Sequence, residues 1–151
     1  MNSVFNILEV NRRLYLKYLN GYSLDQLNNI PNGFNNNLIW NIGHIVVVQQ
    51  ALIYKSSGLE GYITSDMFNT YKPGTKPIKN IQEKEILELK ILLLSLIQQT
   101  RTDYSRQLFS NLKPRKTSTG FQLNTIEDVM VFNNYHEAMH FGIMKSISKF
   151  I

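Results

Sequence analysis

Residues 36–55 read NNLIWNIGHIVVVQQALIYK, and the fold class turns on whether this stretch is a strand or a helix. Its centre, Ile45-Val46-Val47-Val48, is a β-branched run of the kind that strands favour. Against that, the segment is longer than a strand requires, and it is bounded by Asn36 on one side and Ser56-Ser57-Gly58 on the other. Read as a helix, it carries a stripe of Leu38, Asn41, Ile42, His44, Ile45, Val48, Ala51 and Leu52. That stripe is apolar except at Asn41 and His44, and those two exceptions are where function can be sought.

On either side the same period recurs. A first helix is expected from Ser3 to Asn20, with Val4, Ile7, Leu8, Asn11, Leu14, Tyr15 and Tyr18 at steps of three and four. Ser23 to Gln26 starts a short turn of helix, and Pro31-Asn32-Gly33 breaks the chain. The connection from Gly58 to Lys79 is long, punctuated by Pro73-Gly74 and Pro77, with one local turn at Asp66-Met67-Phe68. Connections of this length are either lids over a site or crossovers that close an end of the fold.

A third helix is expected to begin at Asn80, with Glu83 at the reciprocal capping position, and to reach Leu108. Leu89 to Ile97 is apolar nearly all round, which predicts the most buried helix or one shared with a second subunit. Lys113-Pro114 and the polar residues to Gly120 form a linker, and the last helix starts near Thr125 with Asp128 as its capping partner. Four amphipathic helices and no convincing strand pair predict an all-α four-helix bundle, one domain over residues 1–151, with a long connection between its second and third helices.

Composition narrows the chemistry. With 151 residues, 43% of them hydrophobic and 18% charged, the chain can bury a core without staples. It has no cysteine, which removes disulfides, thiolate metal sites and cysteine nucleophiles from consideration. The net charge of +5 is spread along the chain, with one small cluster at Lys113, Arg115 and Lys116, so nucleic-acid binding is not expected. Met1 to Val10 does not read as a signal peptide and Ile91 to Ile97 is too short to span a bilayer. A cytoplasmic protein with no membrane partner is expected.

Only three histidines occur, His44, His136 and His140. The latter two are spaced i, i+4 on the last helix, which puts both imidazoles on one face. There the predicted core stripe is Val129, Asn133, His136, His140, Ile143 and Ile147. Burying imidazoles without partners costs about 1–3 kcal/mol each, and a divalent metal would satisfy them while keeping the rings neutral. With His44 on the other core stripe, a three-nitrogen metal site is expected. Asn41 and Asn133, each three residues before a histidine, are expected to neighbour it as supporting groups. Trp40, Tyr15 and Tyr18 read as core or interface aromatics.

His136-Glu137-Ala138-Met139-His140 also fits H-E-x-x-H, in which Glu is the general base of a metalloprotease. The downstream ligands that pattern requires are missing: Ser146 stands where a third His belongs, and no acidic residue follows Glu137. Glu137 is rotated about 100° from His136 and is expected as a surface charge, with a catalytic role or a place beside the site as its alternatives.

The blocks Asn37-Leu38-Ile39-Trp40-Asn41-Ile42-Gly43-His44-Ile45 and His136-Glu137-Ala138-Met139-His140-Phe141-Gly142 together resemble the two signatures of the DinB-like superfamily. The resemblance covers essentially the whole chain. It implies an up-down-down-up bundle whose ligands are His44, His136 and His140, usually holding nickel or zinc, and it implies frequent homodimers. Related bundles include hydrolase-like proteins, maleylpyruvate isomerases and S-transferases that use low-molecular-weight thiols. The expected function is therefore a metal-dependent thiol S-transferase or hydrolase, acting on a small-molecule substrate with a metal-bound water or thiol as nucleophile. The alternative is a non-catalytic, stress-related protein whose metal is structural, or which holds none.

Overall fold

The β-branched run at Ile45–Val48 is helical. In the computed structural model, which describes residues 1–151, it lies inside helix α3, Leu38–Ile53. The Asn37 side chain caps this helix by accepting the Trp40 N–H at 2.8 Å. Every α3 residue except Ala51 is buried. A β-branched residue gives up at most about 0.7 kcal/mol of helix propensity relative to Ala. Burying one such side chain returns roughly 1.5–3 kcal/mol, so tertiary packing decides the conformation.

The remaining α-helices are α1 (Asn2–Gly21), α2 (Leu24–Asn28), α4 (Ser65–Tyr71), α5 (Glu83–Ser105) and α6 (Ile126–Ile147). α1, α3, α5 and α6 form the bundle, and their side-chain contacts fix its directions. Asn134 Nδ2 donates to the Val4 carbonyl and the Tyr15 hydroxyl donates to the Glu137 carbonyl, so α1 and α6 run parallel. Gln49 Nε2 donates to Thr100 Oγ1 and the Tyr54 hydroxyl to Asp103 Oδ2, so α3 and α5 also run together. The start of α5 adjoins the end of α2, where the Ile81 N–H donates to Asn28 Oδ1. Its other end packs Tyr104 edge-on against Phe5, opposite in sense to α1. The order is up-down-down-up. No helix is long and apolar enough to cross a membrane.

Five local expectations are corrected. The most buried helix is α3, because α2 and α4 lie over it. α5 leaves Leu87 and Ile91 in water, 59% and 67% exposed. α5 also starts later than Asn80: Ile81 is held extended in the core by Asn28, and Glu85 closes the capping contact with the Gln82 N–H at 3.0 Å. It ends earlier than Leu108, because Gln107 adopts φ +58 and turns the chain. The linker before α6 contains a two-residue antiparallel ladder, Arg115↔Leu123 and Lys116↔Gln122.

The first-helix stripe is rotated by about one residue from the expected one. Phe5, Leu8, Arg12, Tyr15 and Leu19 are buried, whereas Ile7 is half-exposed. At the far end, α6 starts where the sequence places it: Asp128 accepts from the Thr125 N–H, and Thr125 Oγ1 accepts from the Asp128 N–H.

Candidate metal centre

α3 and α6 pack antiparallel and bring His44, His136 and His140 together. One ligand nitrogen of each lies within 4.8 Å of the others. The ring centroids of His44 stand 5.3 Å from His136 and 4.7 Å from His140. The i, i+4 pair itself is 4.6 Å apart. Such a set of imidazoles is the donor group that a borderline divalent ion prefers.

Two of the rings are oriented by oxygen acceptors. His44 Nδ1 lies 2.7 Å from the Tyr71 carbonyl, and His140 Nδ1 lies 2.7 Å from Asn41 Oδ1. As each acceptor engages Nδ1–H, the Nε2 lone pair of the same ring is left free as a ligand. The Nδ1 of His136 is buried without a partner. Burial holds all three rings below the usual histidine pKa. His136 is pushed to about 4, with His44 and Arg12 adding to burial, and His140 to about 3, with the other two imidazoles adding. Three neutral imidazoles with converging lone pairs fit a divalent cation, which needs deprotonated nitrogen donors.

Of the two expected supporting groups, Asn41 bonds a histidine of the site and Asn133 does not. Asn41 neighbours His140 across the bundle rather than His44 on its own helix, and its Nδ2 donates to the Asn37 carbonyl at 2.7 Å. Asn133 does not bond His136; its Nδ2 donates to Glu137 Oε1 at 2.9 Å.

Glu137 is the largest departure. It is wholly buried, not a surface charge, and the equally buried Arg12 grips it: Nε lies 3.1 and 3.0 Å from the two carboxylate oxygens and Nη2 lies 2.7 Å from Oε1. Arg12 Nη2 also donates to Gln49 Oε1 at 3.0 Å, so one guanidinium joins α1, α3 and α6. Burial pushes the Glu137 carboxyl up, while Arg12 and Asn133 oppose that shift. A carboxylate so enclosed has no face for a substrate proton, and the general-base role that H-E-x-x-H assigns to it does not hold here.

Tyr71 and Trp40 complete the surroundings of His44. Tyr71, from α4, rests against Gly43. A Cβ added to that glycine would stand 2.5 Å from the Tyr71 ring, so only glycine lets the ring approach and bring the Tyr71 carbonyl to His44. Trp40 stacks on His44 with centroids 4.6 Å apart and planes 17° from parallel, which makes it a wall of the site as well as a core aromatic. The 58–79 connection is thus a crossover that carries a supporting group. Nothing in its composition marks Tyr71, although Gly43 beside a candidate ligand is the signal of close approach. Arg12 was legible as the one charge on the steps Phe5, Leu8, Arg12, Tyr15, Leu19.

A family model described as DinB superfamily matches residues 7–144. No curated protein matches the chain.

Proposed function

The chain belongs to the DinB superfamily, and from that premise we propose that it is an enzyme whose three histidines hold one nickel or zinc ion. The reaction proposed is transfer of a low-molecular-weight thiol to a small electrophilic substrate, with hydrolysis as the same chemistry run with water. The observation that carries this reading is the convergence of His44, His136 and His140 within 4.8 Å, with two of their Nδ1 atoms already engaged by oxygen. A divalent ion held there supplies Lewis acidity that lets a thiol or a water lose its proton near neutral pH.

The protein's own part is to hold and orient. Burial keeps the imidazoles neutral, and the Tyr71 carbonyl and Asn41 fix two ring planes. Arg12 and Glu137 lock the rotation of α6 against α1, so that His136 and His140 face α3. With only three obvious protein ligands the site is not closed, which supports a catalytic role over a purely structural one. The absence of cysteine supports a nucleophile supplied by a cosubstrate. The protein is further proposed to pair with a second copy of itself. Val131, Tyr135, Met139 and Ile143, at successive steps of four on α6, stand exposed and support that pairing.

Elemental analysis of untagged protein tests the assignment. About one nickel or zinc per chain is expected, lost in His140→Ala, together with metal-dependent consumption of a small thiol in the presence of an electrophile. Unchanged metal content in His140→Ala would reject the site. Full metal loading with neither thiol transfer nor hydrolysis, and a large loss of thermal stability on chelation, would reject the enzymatic reading.

A further inference from the structure

Trp40 belongs to two places at once. It stacks on His44, and it also lines a cavity of about 630 Å³ that none of the three histidines line. The cavity lies between the first turn of α3, supplying Asn37, Ile39 and Trp40, and the crossover from Asp66 to Ile81. Its volume falls within the roughly 300–1,000 Å³ typical of small-molecule sites.

The chemistry of its lining is selective. The neutral polar side chains are largely engaged within the protein. Asn37 accepts from the Trp40 N–H and donates to the Asn28 carbonyl at 2.8 Å. Thr70 Oγ1 donates to the Asp66 carbonyl. Thr75 accepts the indole N–H at 3.2 Å, and its own hydroxyl lies 2.9 Å from two backbone carbonyls. Asn69 Oδ1 is taken by Lys72.

What is left uncommitted is charge, apolar surface, the Tyr71 hydroxyl and the Asn69 Nδ2. Lys76 has no ionic partner, and Lys79 has only a loose, exposed one, Glu85 at 3.7 Å. Asp66 is the single carboxylate in the lining, so the balance there is positive by one. Ile78, 88% exposed, and the half-buried Pro77 supply an apolar surface, to which the buried Ile39 and Trp40 add only an edge. A cavity whose neutral hydrogen-bonding groups are mostly taken, and whose free charges are two ammonium groups against one carboxylate, favours an anion over a sugar or a cation.

We propose that this cavity binds a small organic anion with an apolar body. The acid group sits at Lys76 and Lys79, and the hydrocarbon or ring portion lies against Ile78, Pro77 and the exposed edge of Trp40. The metal takes no part in this binding, so the site stands or falls independently of the three histidines.

Trp40 is the only tryptophan in the chain, so its fluorescence reports this cavity directly. The probe is 4-cyclohexylbutanoate, which is transparent where indole absorbs, titrated into chelator-treated wild-type protein. Its uncharged primary amide is the control. A saturable change in Trp40 emission is expected with the carboxylate. Binding should weaken about fivefold for the amide, and by a similar factor for Lys76→Ala/Lys79→Ala, the worth of one solvent-facing charge pair. Both lysines are exposed, so the variant is expected to fold, and circular dichroism verifies this. No saturable change with the carboxylate, or equal binding of acid and amide, would overturn the proposal. So would equal binding by wild type and a folded double-lysine variant. Metal content, measured in parallel, is expected to be the same in both proteins, which separates failure here from failure at the histidines.

Discussion

Asn41 Oδ1 lies 2.7 Å from His140 Nδ1, joining the first turn of α3 to the last helix across 99 residues of sequence. The amide fixes which ring nitrogen carries the proton and the angle at which the other presents its lone pair. Replacing Asn41 by Leu removes that acceptor and leaves the His140 N–H unpaired in a largely buried place. Metal affinity is expected to fall about 10–100-fold, the usual consequence of removing an orienting partner from a ligating histidine. Competition against a chromophoric chelator measures it. An unchanged dissociation constant would show that Asn41 has no part in the site.

Arg12 and Glu137 are both wholly buried and bind each other through two nitrogens and two oxygens. Arg12→Met leaves a buried carboxylate without its cation, and Glu137→Met leaves a buried guanidinium without its anion. Each single variant is expected to lose about 3–5 kcal/mol of stability, because an uncompensated charge remains in the core. The double variant, with no charge to desolvate, should lose less than either single one. Urea unfolding of all four proteins without metal closes the double-mutant cycle. Additive losses would mean that the pair does not act as a unit.

Gly43→Ala places a methyl where the Tyr71 ring now lies, at 2.5 Å. The contact is with the ring near its attachment, not with a flexible tip, so Tyr71 must move, and its carbonyl with it. Overpacking of this kind costs about 1–3 kcal/mol. Metal affinity should fall as well, because His44 loses the acceptor that orients it. Comparing melting temperatures with and without metal separates the two effects. A variant that is less stable but binds metal as tightly as wild type would show that Tyr71 only packs.

The bundle was legible because its helices are long, periodic and punctuated, and the capping pair Thr125–Asp128 reads directly from the sequence. The histidine cluster was legible for a related reason: polar residues on an apolar stripe must find partners, and three imidazoles on two facing stripes find one another. Glu137 was misread because a single helix viewed alone puts it on the flank of the His136–His140 face. Its place is set by pairing with α1. Arg12 and Glu137 occupy matching core positions on two parallel helices, and neither makes sense until the other is opposite. Tyr71 contributes a backbone carbonyl, which any residue would carry, so its identity holds no trace of that role. Only the missing side chain of Gly43 points to it.

The depressed pKa values of the histidines make stability depend on pH in a definite sense. In the folded, metal-free protein His136 and His140 stay neutral down to about pH 4 and 3, whereas an unfolded histidine takes up its proton near 6.5. Between those limits the unfolded chain binds more protons, so stability falls as pH is lowered from 6.5 and levels off near pH 3. Well above 6.5 neither state is protonated at these rings, and they contribute no slope. The metal-free melting temperature should therefore drop on acidification through this window, and His136→Gln/His140→Gln should drop less steeply. Bound metal, which competes with protons for the same nitrogens, should add stability above pH 6.5 and lose its advantage as the pH falls. Thermal melts across the range, with and without chelator, give both slopes. Identical slopes for wild type and the double glutamine variant would place the pH dependence elsewhere in the molecule.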